Sequence, residues 1–150
     1  MTTTFYKQDG AIYTLKMNKI FSILCVLLFT IVEIYYLSFA PETKDSTIYK
    51  IVPLFPLLIS LYELGKKTRL YVDNKIVETS IFGLNKTQVP FEEIKRFIRT
   101  QHSTNFIKSG ASLSVEYLQN GKMQTMQIAK LNKLSSIEKL LNETKKIIHL

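Results

Sequence analysis

Residues 20–40 read IFSILCVLLFTIVEIYYLSFA, and a single charge, Glu33, interrupts them. At 1.5 Å of rise per residue a helix of this length is about 30 Å long, close to the hydrocarbon thickness of a bilayer. A helix apolar around its whole circumference needs apolar surroundings on every side, and the rest of a 150-residue chain is too small to bury it. The stretch therefore predicts a transmembrane helix over about 18–40. A second run without charge, Ile51 to Tyr62, would reach only about 18 Å as a helix. It spans if it extends over 47–64, with Lys50 snorkelling to the interface on its long stem. Pro53 and Pro56 predict a kink there, because neighbouring helices in lipid re-satisfy the carbonyls that proline leaves free. Tyr35, Tyr36, Phe39, Tyr49 and Tyr62 fall near the ends of these runs, where amphipathic rings are expected. Residues 18–64 are thus expected to form a transmembrane hairpin with its loop at 41–46. A cleaved leader beginning at Met17 fits poorly, since the small-residue site Ser38-Phe39-Ala40 is followed directly by Pro41.

The flanking cations set the expected orientation. Lys16 and Lys19 precede the first run, and Lys66, Lys67 and Arg69 follow the second. The loop between them has Lys44 alone, set against Glu42 and Asp45. The positive-inside bias then places both termini in the cytoplasm and makes the chain integral to the cell membrane. Residues 1–64 carry five basic and five acidic side chains, so the whole excess of +8 belongs to residues 65–150. Such an imbalance points to a negative partner surface, either nucleic acid or an anionic leaflet. Cys25 is the only cysteine and lies within the apolar run, so no intrachain disulfide is expected.

Beyond Gly65 the periodicity becomes that of strands. Arg69 to Val72 leads through Asp73-Asn74-Lys75 to a run from Ile76 to Phe82, which Gly83 breaks. Shorter strands are expected at Lys86 to Pro90 and Ile94 to Arg99. Ser112 to Tyr117 alternates strictly, which puts Leu113, Val115 and Tyr117 on one face. Asn120-Gly121 between two strand-like runs predicts a type I′ hairpin, whose two central residues both need positive φ. Ser135 with Glu138 predicts a capping box at the start of a last helix. Ile137, Leu140, Leu141, Ile147 and Ile148 form its apolar stripe. Residues 1–17 are expected to be an N-terminal cytosolic segment, in which Tyr6 to Leu15 fits either a strand added to the domain or an interfacial stretch.

Six or seven antiparallel strands closed by one amphipathic C-terminal helix is the layout of a pleckstrin-homology-like (PH-like) domain. Here the chain resembles small bacterial membrane proteins in which a two-helix hairpin is followed by a PH-like domain. The resemblance rests on Leu70-Tyr71-Val72-Asp73, on the corner Ile81-Phe82-Gly83-Leu84, and on Val89-Pro90-Phe91-Glu92-Glu93-Ile94. It implies an α+β fold: a transmembrane hairpin, then a PH-like antiparallel barrel or sandwich over 65–150, capped by the C-terminal helix. It supplies no catalytic residues.

The residues themselves add no chemistry of that kind. His102 and His149 have no carboxylate or cysteine at metal-ligand spacing. Glu92-Glu93 is the one paired carboxylate, and a turn role suits it better than acid–base work. No glycine-rich phosphate loop is present among five glycines. The expectation is a non-enzyme with no cofactor and no metal. Two basic clusters, Lys66-Lys67-Arg69 and Lys95-Arg96-Arg99, are candidates to face anionic headgroups, at about 1 kcal/mol per residue near the surface. A specific phosphoinositide pocket does not follow, because the first hairpin offers Lys75 alone and Glu78 sits in the strand after it. Within the hairpin, Glu33 and Lys50 predict an intramembrane ion pair, since an unpaired charge at the helix centre costs about 2.5–3.5 kcal/mol. The expected role is a membrane-anchored interaction module that binds a protein partner or the adjacent leaflet. The alternative is an accessory subunit of a membrane transporter or envelope enzyme that acts through its hairpin. Nucleic acid is not expected as a partner, because no exposed aromatic pairs are interleaved with the basic residues.

Overall fold

The computed structural model describes residues 3–39, 51–104 and 107–149. The expected loop 41–46, and with it Lys50 and Tyr49, lies outside the described residues. The chain is α+β and divides into two compact units: Met1–Lys16 with Lys67–Leu150, and Met17–Lys66.

The helical unit contains α1 (Ile20–Phe39) and α2 (Leu54–Gly65), which pack against each other. The side chain of Asn18 accepts the Ile20 N–H at 3.1 Å and satisfies one orphan donor at the start of α1. At the other helix's end the Nζ of Lys19 donates to the carbonyls of Leu64 and Lys66, so the start of α1 adjoins the end of α2. Among the described residues α1 alone is long and apolar enough to cross a membrane by length and composition. Pro53 and Pro56 do not sit in mid-helix. Residues 52–53 form a turn, Pro53 caps α2, and Pro56 falls in its first turn, where a missing N–H leaves no ladder bond unmade.

The β unit opens with the N-terminal segment, which joins this unit as strands. Strands β1 (Tyr6–Asp9) and β2 (Ile12–Leu15) turn at Gly10, whose φ is +58°. Strand β2 pairs with β3 (Lys66–Tyr71), aligning Thr14 with Arg69 and Ile12 with Tyr71. With β4 (Ile76–Ile81) and β5 (Leu84–Pro90) they form a five-stranded sheet in sequence order, with β1–β2, β2–β3 and β4–β5 each paired antiparallel. The helical unit is therefore an insertion between two neighbouring strands of this sheet.

A 3-10 turn at Phe91–Glu93 leads into a three-stranded antiparallel sheet of β6 (Ile94–Thr104), β7 (Ile107–Gln119) and β8 (Lys122–Leu131). Strands β6 and β7 run further than the alternation suggested. Thr100 to Ser103, read from the sequence as polar loop, pair with Ala111, Gly110 and their neighbours. Polar side chains on successive positions hide this strand from a periodicity reading. Asn120 and Gly121 turn β7 into β8 with φ of 52° and 72°, as the hairpin motif requires.

Helix α3 (Leu134–Ile148) packs on all three strands of the second sheet. Ile137, Leu140, Ile147 and Ile148 are buried, together with Thr144. Leu141, expected in the same stripe, lies at the stripe's margin and is only partly buried. The expected capping box does not form. Lys133 is the N-cap with no side-chain bond, Ser135 already lies within the helix, and Glu138 pairs with Arg99 on β6 at 3.4 Å. The core of the unit includes Tyr6, Leu70, Val77, Val89, Leu113, Val115 and Ile128, all fully enclosed.

Candidate membrane-contact surface

No residue of α1 is buried, and its large side chains are exposed on every side of the helix, from Phe21 through Leu24, Leu28 and Ile31 to Phe39. Phe55, Leu58, Ile59 and Tyr62 continue this apolar surface on α2. Monomers in water rarely leave contiguous apolar patches above a few hundred Å² uncovered. Fully burying each such side chain in an apolar medium is worth about 1.5–3 kcal/mol. The aromatic side chains gather towards the C-terminal end of α1, where Tyr35 stacks edge-on with Tyr36 at 5.8 Å and tilts against Phe39 at 5.7 Å.

Glu33 is the one carboxylate in α1. Its Oε2 is shielded from solvent and has no hydrogen-bond partner among the described residues. The partner expected from the sequence, Lys50, lies outside them.

The basic residues are not brought together. Lys66 is only 5% exposed, so it is a buried residue and not the surface cation expected. Its backbone carbonyl accepts from Lys19 at 2.9 Å. Arg69 is partly buried and lies 3.5 Å from Glu78, a carboxylate only 3% exposed. Glu78 also accepts from Gln88 at 2.8 Å and from the Tyr71 hydroxyl at 3.4 Å. This enclosed polar cluster joins three neighbouring strands. The sequence does not reveal it, because its members meet only across the sheet. Lys67 is exposed.

The second cluster sits on β6, the edge strand of the other sheet. Arg96 donates to Glu116 at 2.5 Å, and this bond holds its guanidinium even more firmly charged. Arg99 pairs with Glu138. Lys95, Arg96 and Arg99 share with Phe97, Leu141 and Lys145 a groove of about 420 Å³ between β6 and α3. Exposed ion pairs of this kind contribute little to stability, about 0–1 kcal/mol each.

His102 bonds Ser112 through Nε2 at 2.9 Å, and His149 ends α3 in a left-handed conformation. Glu92 faces Lys75 at 4.0 Å. Among the described residues no group of three His, Cys, Asp or Glu side chains could hold a metal ion. No family model and no curated protein matches this sequence.

Proposed function

We propose that this chain is a membrane-anchored binding module, without a catalytic step of its own. In this reading α1 and residues 47–64 cross the bilayer as a two-helix hairpin, and the β unit is a PH-like domain at the cytoplasmic leaflet. The observation that carries it is α1 itself, twenty residues long, apolar on all faces and without a buried residue. Two antiparallel sheets with a C-terminal helix are the layout expected of a PH-like domain, and they support that part of the reading. The charge excess of the β unit favours an anionic leaflet as its neighbour.

Topology is the direct test. In a Cys25→Ser background, cysteines at Thr43 and Asn120 are challenged with a membrane-impermeant thiol reagent on intact cells. Thr43→Cys is expected to react at once, and Asn120→Cys only after permeabilisation. Equal labelling of both on intact cells would exclude the hairpin with cytoplasmic termini.

A second reading, an accessory subunit acting through its helices, rests on Glu33. A shielded carboxyl oxygen without a partner on an otherwise apolar helix marks a place where a polar group of another membrane protein would be bound. Co-purification in detergent, with and without residues 17–66, separates the two. A partner lost only with those residues favours the second reading.

A further inference from the structure

The chain leaves the five-stranded sheet for α1 after Leu15, the last residue of β2, and returns from α2 at Lys66, the first residue of β3. No residue separates Gly65 from Lys66, and only residues 16–19 separate β2 from α1. Both exits lie at one end of the sheet, because β2 and β3 run antiparallel with Thr14 opposite Arg69. Strand β4 is the next neighbour of β3, and the hydroxyls of Thr68 and Thr79 lie 3.5 Å apart. Two residues beyond Thr79 the strand ends at Ile81, so the β4–β5 turn projects from that same end. With strands about 4.8 Å apart, it lies about 5–10 Å from the line of β3.

This turn carries Phe82 and Leu84, which are 61% and 71% exposed. Outside the helical unit only two other large apolar side chains are exposed among the described residues, Leu118 and Met123. They flank the Asn120–Gly121 turn. That turn is at the opposite end, since Tyr117 pairs with Ile94, which follows shortly after Pro90 and its partner Ile76. Phe82 also holds φ at +51°, a region that a bulky aromatic rarely occupies and that asparagine or glycine would adopt more cheaply. Folding in water gives no reason for a strained, exposed phenylalanine at this position. Lys16, Lys67 and Lys86 are exposed at the same end of the sheet.

We propose that Phe82 and Leu84 form a third membrane contact, inserting at the headgroup–acyl boundary while Lys16, Lys67 and Lys86 face lipid phosphates. This rests on the reading of α1 and α2 as membrane helices, and it adds what the β unit itself binds: the surface of an anionic bilayer. Apolar side chains of such interfacial elements sit about 5–10 Å into the boundary region, with lysines left at headgroup level.

The chain has no tryptophan, so single substitutions give unambiguous fluorescence reporters. Full-length Phe82→Trp, Leu84→Trp, Leu27→Trp and Leu118→Trp variants are reconstituted into vesicles of mixed zwitterionic and anionic phospholipid, with and without brominated acyl chains. Leu27→Trp reports on α1. Phe82→Trp and Leu84→Trp are expected to emit to the blue of water-exposed indole and to lose most of their fluorescence to brominated lipid. Leu118→Trp is expected to keep its emission and to be quenched only by a water-soluble quencher. Bromine quenching of Leu27→Trp without quenching at positions 82 and 84 would overturn the insertion and leave the anchor standing. An unquenched Leu27→Trp would overturn both. Equal quenching at 82, 84 and 118 would overturn the assignment of one sheet end to the bilayer.

Discussion

Glu143 shows how one side chain can fix a segment distant in sequence. From α3 its carboxylate accepts the backbone N–H groups of Thr4, Phe5 and Tyr6 at 3.1–3.3 Å. These donors precede or begin β1 and have no sheet partner on that side, so an unmet N–H there would be costly. Glu143→Ala is expected to destabilise the β unit by about 1–3 kcal/mol, the range for stranding partly buried donors. The loss should appear first as faster amide exchange over residues 4–9, and unchanged exchange there would contradict the contact. One turn along, Thr144 donates to the Leu140 carbonyl at 2.8 Å, so the buried Tyr6 hydroxyl donates to Thr144 at 2.7 Å. Burial pushes the Tyr6 phenol well above the ordinary tyrosine range, the charge of Glu143 adds to this, and the Thr144 bond opposes it. A raised folded value means that the native state holds the proton more tightly than the unfolded chain. The stabilisation is fully present below about pH 10, the unfolded value, and falls as pH rises above it. Tyr6→Phe should lower stability at neutral pH and flatten that alkaline decline; an unchanged alkaline slope would contradict the assignment. None of these contacts is legible in the sequence, because each joins residues more than 130 positions apart.

The secondary-structure elements divide by how local their causes are. The Asn120–Gly121 turn, the break at Gly83 and the amphipathic last helix were legible, since each follows from a few adjacent residues. The start of α3 was not, because Glu138 reaches across to Arg99 instead of back to its own N-terminus. The outer parts of β6 and β7 were hidden for a related reason: both of their faces are polar, and pairing alone defines them. Within α3 the burial pattern separates two leucines that the helical period treats as equals. Leu140 is fully enclosed, whereas Leu141 borders the groove beside β6. Leu140→Ala is expected to cost about 2–5 kcal/mol as a core truncation, and Leu141→Ala clearly less. Denaturant midpoints for the two variants would check this, and equal losses would argue against the packing of α3. Of the candidate site residues, Lys67, Lys95, Arg96 and Arg99 were legible as surface cations. Lys66 and Arg69 were not, since burial and the carboxylate of Glu78 claim them only once the strands have paired.

At the scale of the whole chain, the order of the parts differs from a simple anchor followed by a domain. Residues 6–15 supply two strands of the sheet before the chain departs into the helical unit, and β3 resumes the sheet immediately after α2. The β unit is therefore closed only when strands from both sides of the insertion have met. This long loop delays β2–β3 pairing, because ordering the intervening chain is an entropic cost that precedes the contacts. Removing residues 1–16 is accordingly expected to destabilise the β unit rather than trim a tail, exposing β3 as a new sheet edge. Pulse proteolysis of the shortened and complete chains would show it, and equal resistance would contradict the shared sheet. The central claim, that apolar helices hold this chain in a bilayer, is tested most directly by extracting isolated membranes with molar salt and with alkaline carbonate. The full-length protein is expected to remain in the pellet under both treatments and to be released by detergent alone. Release by salt would show that surface charge holds it, and would contradict the anchor.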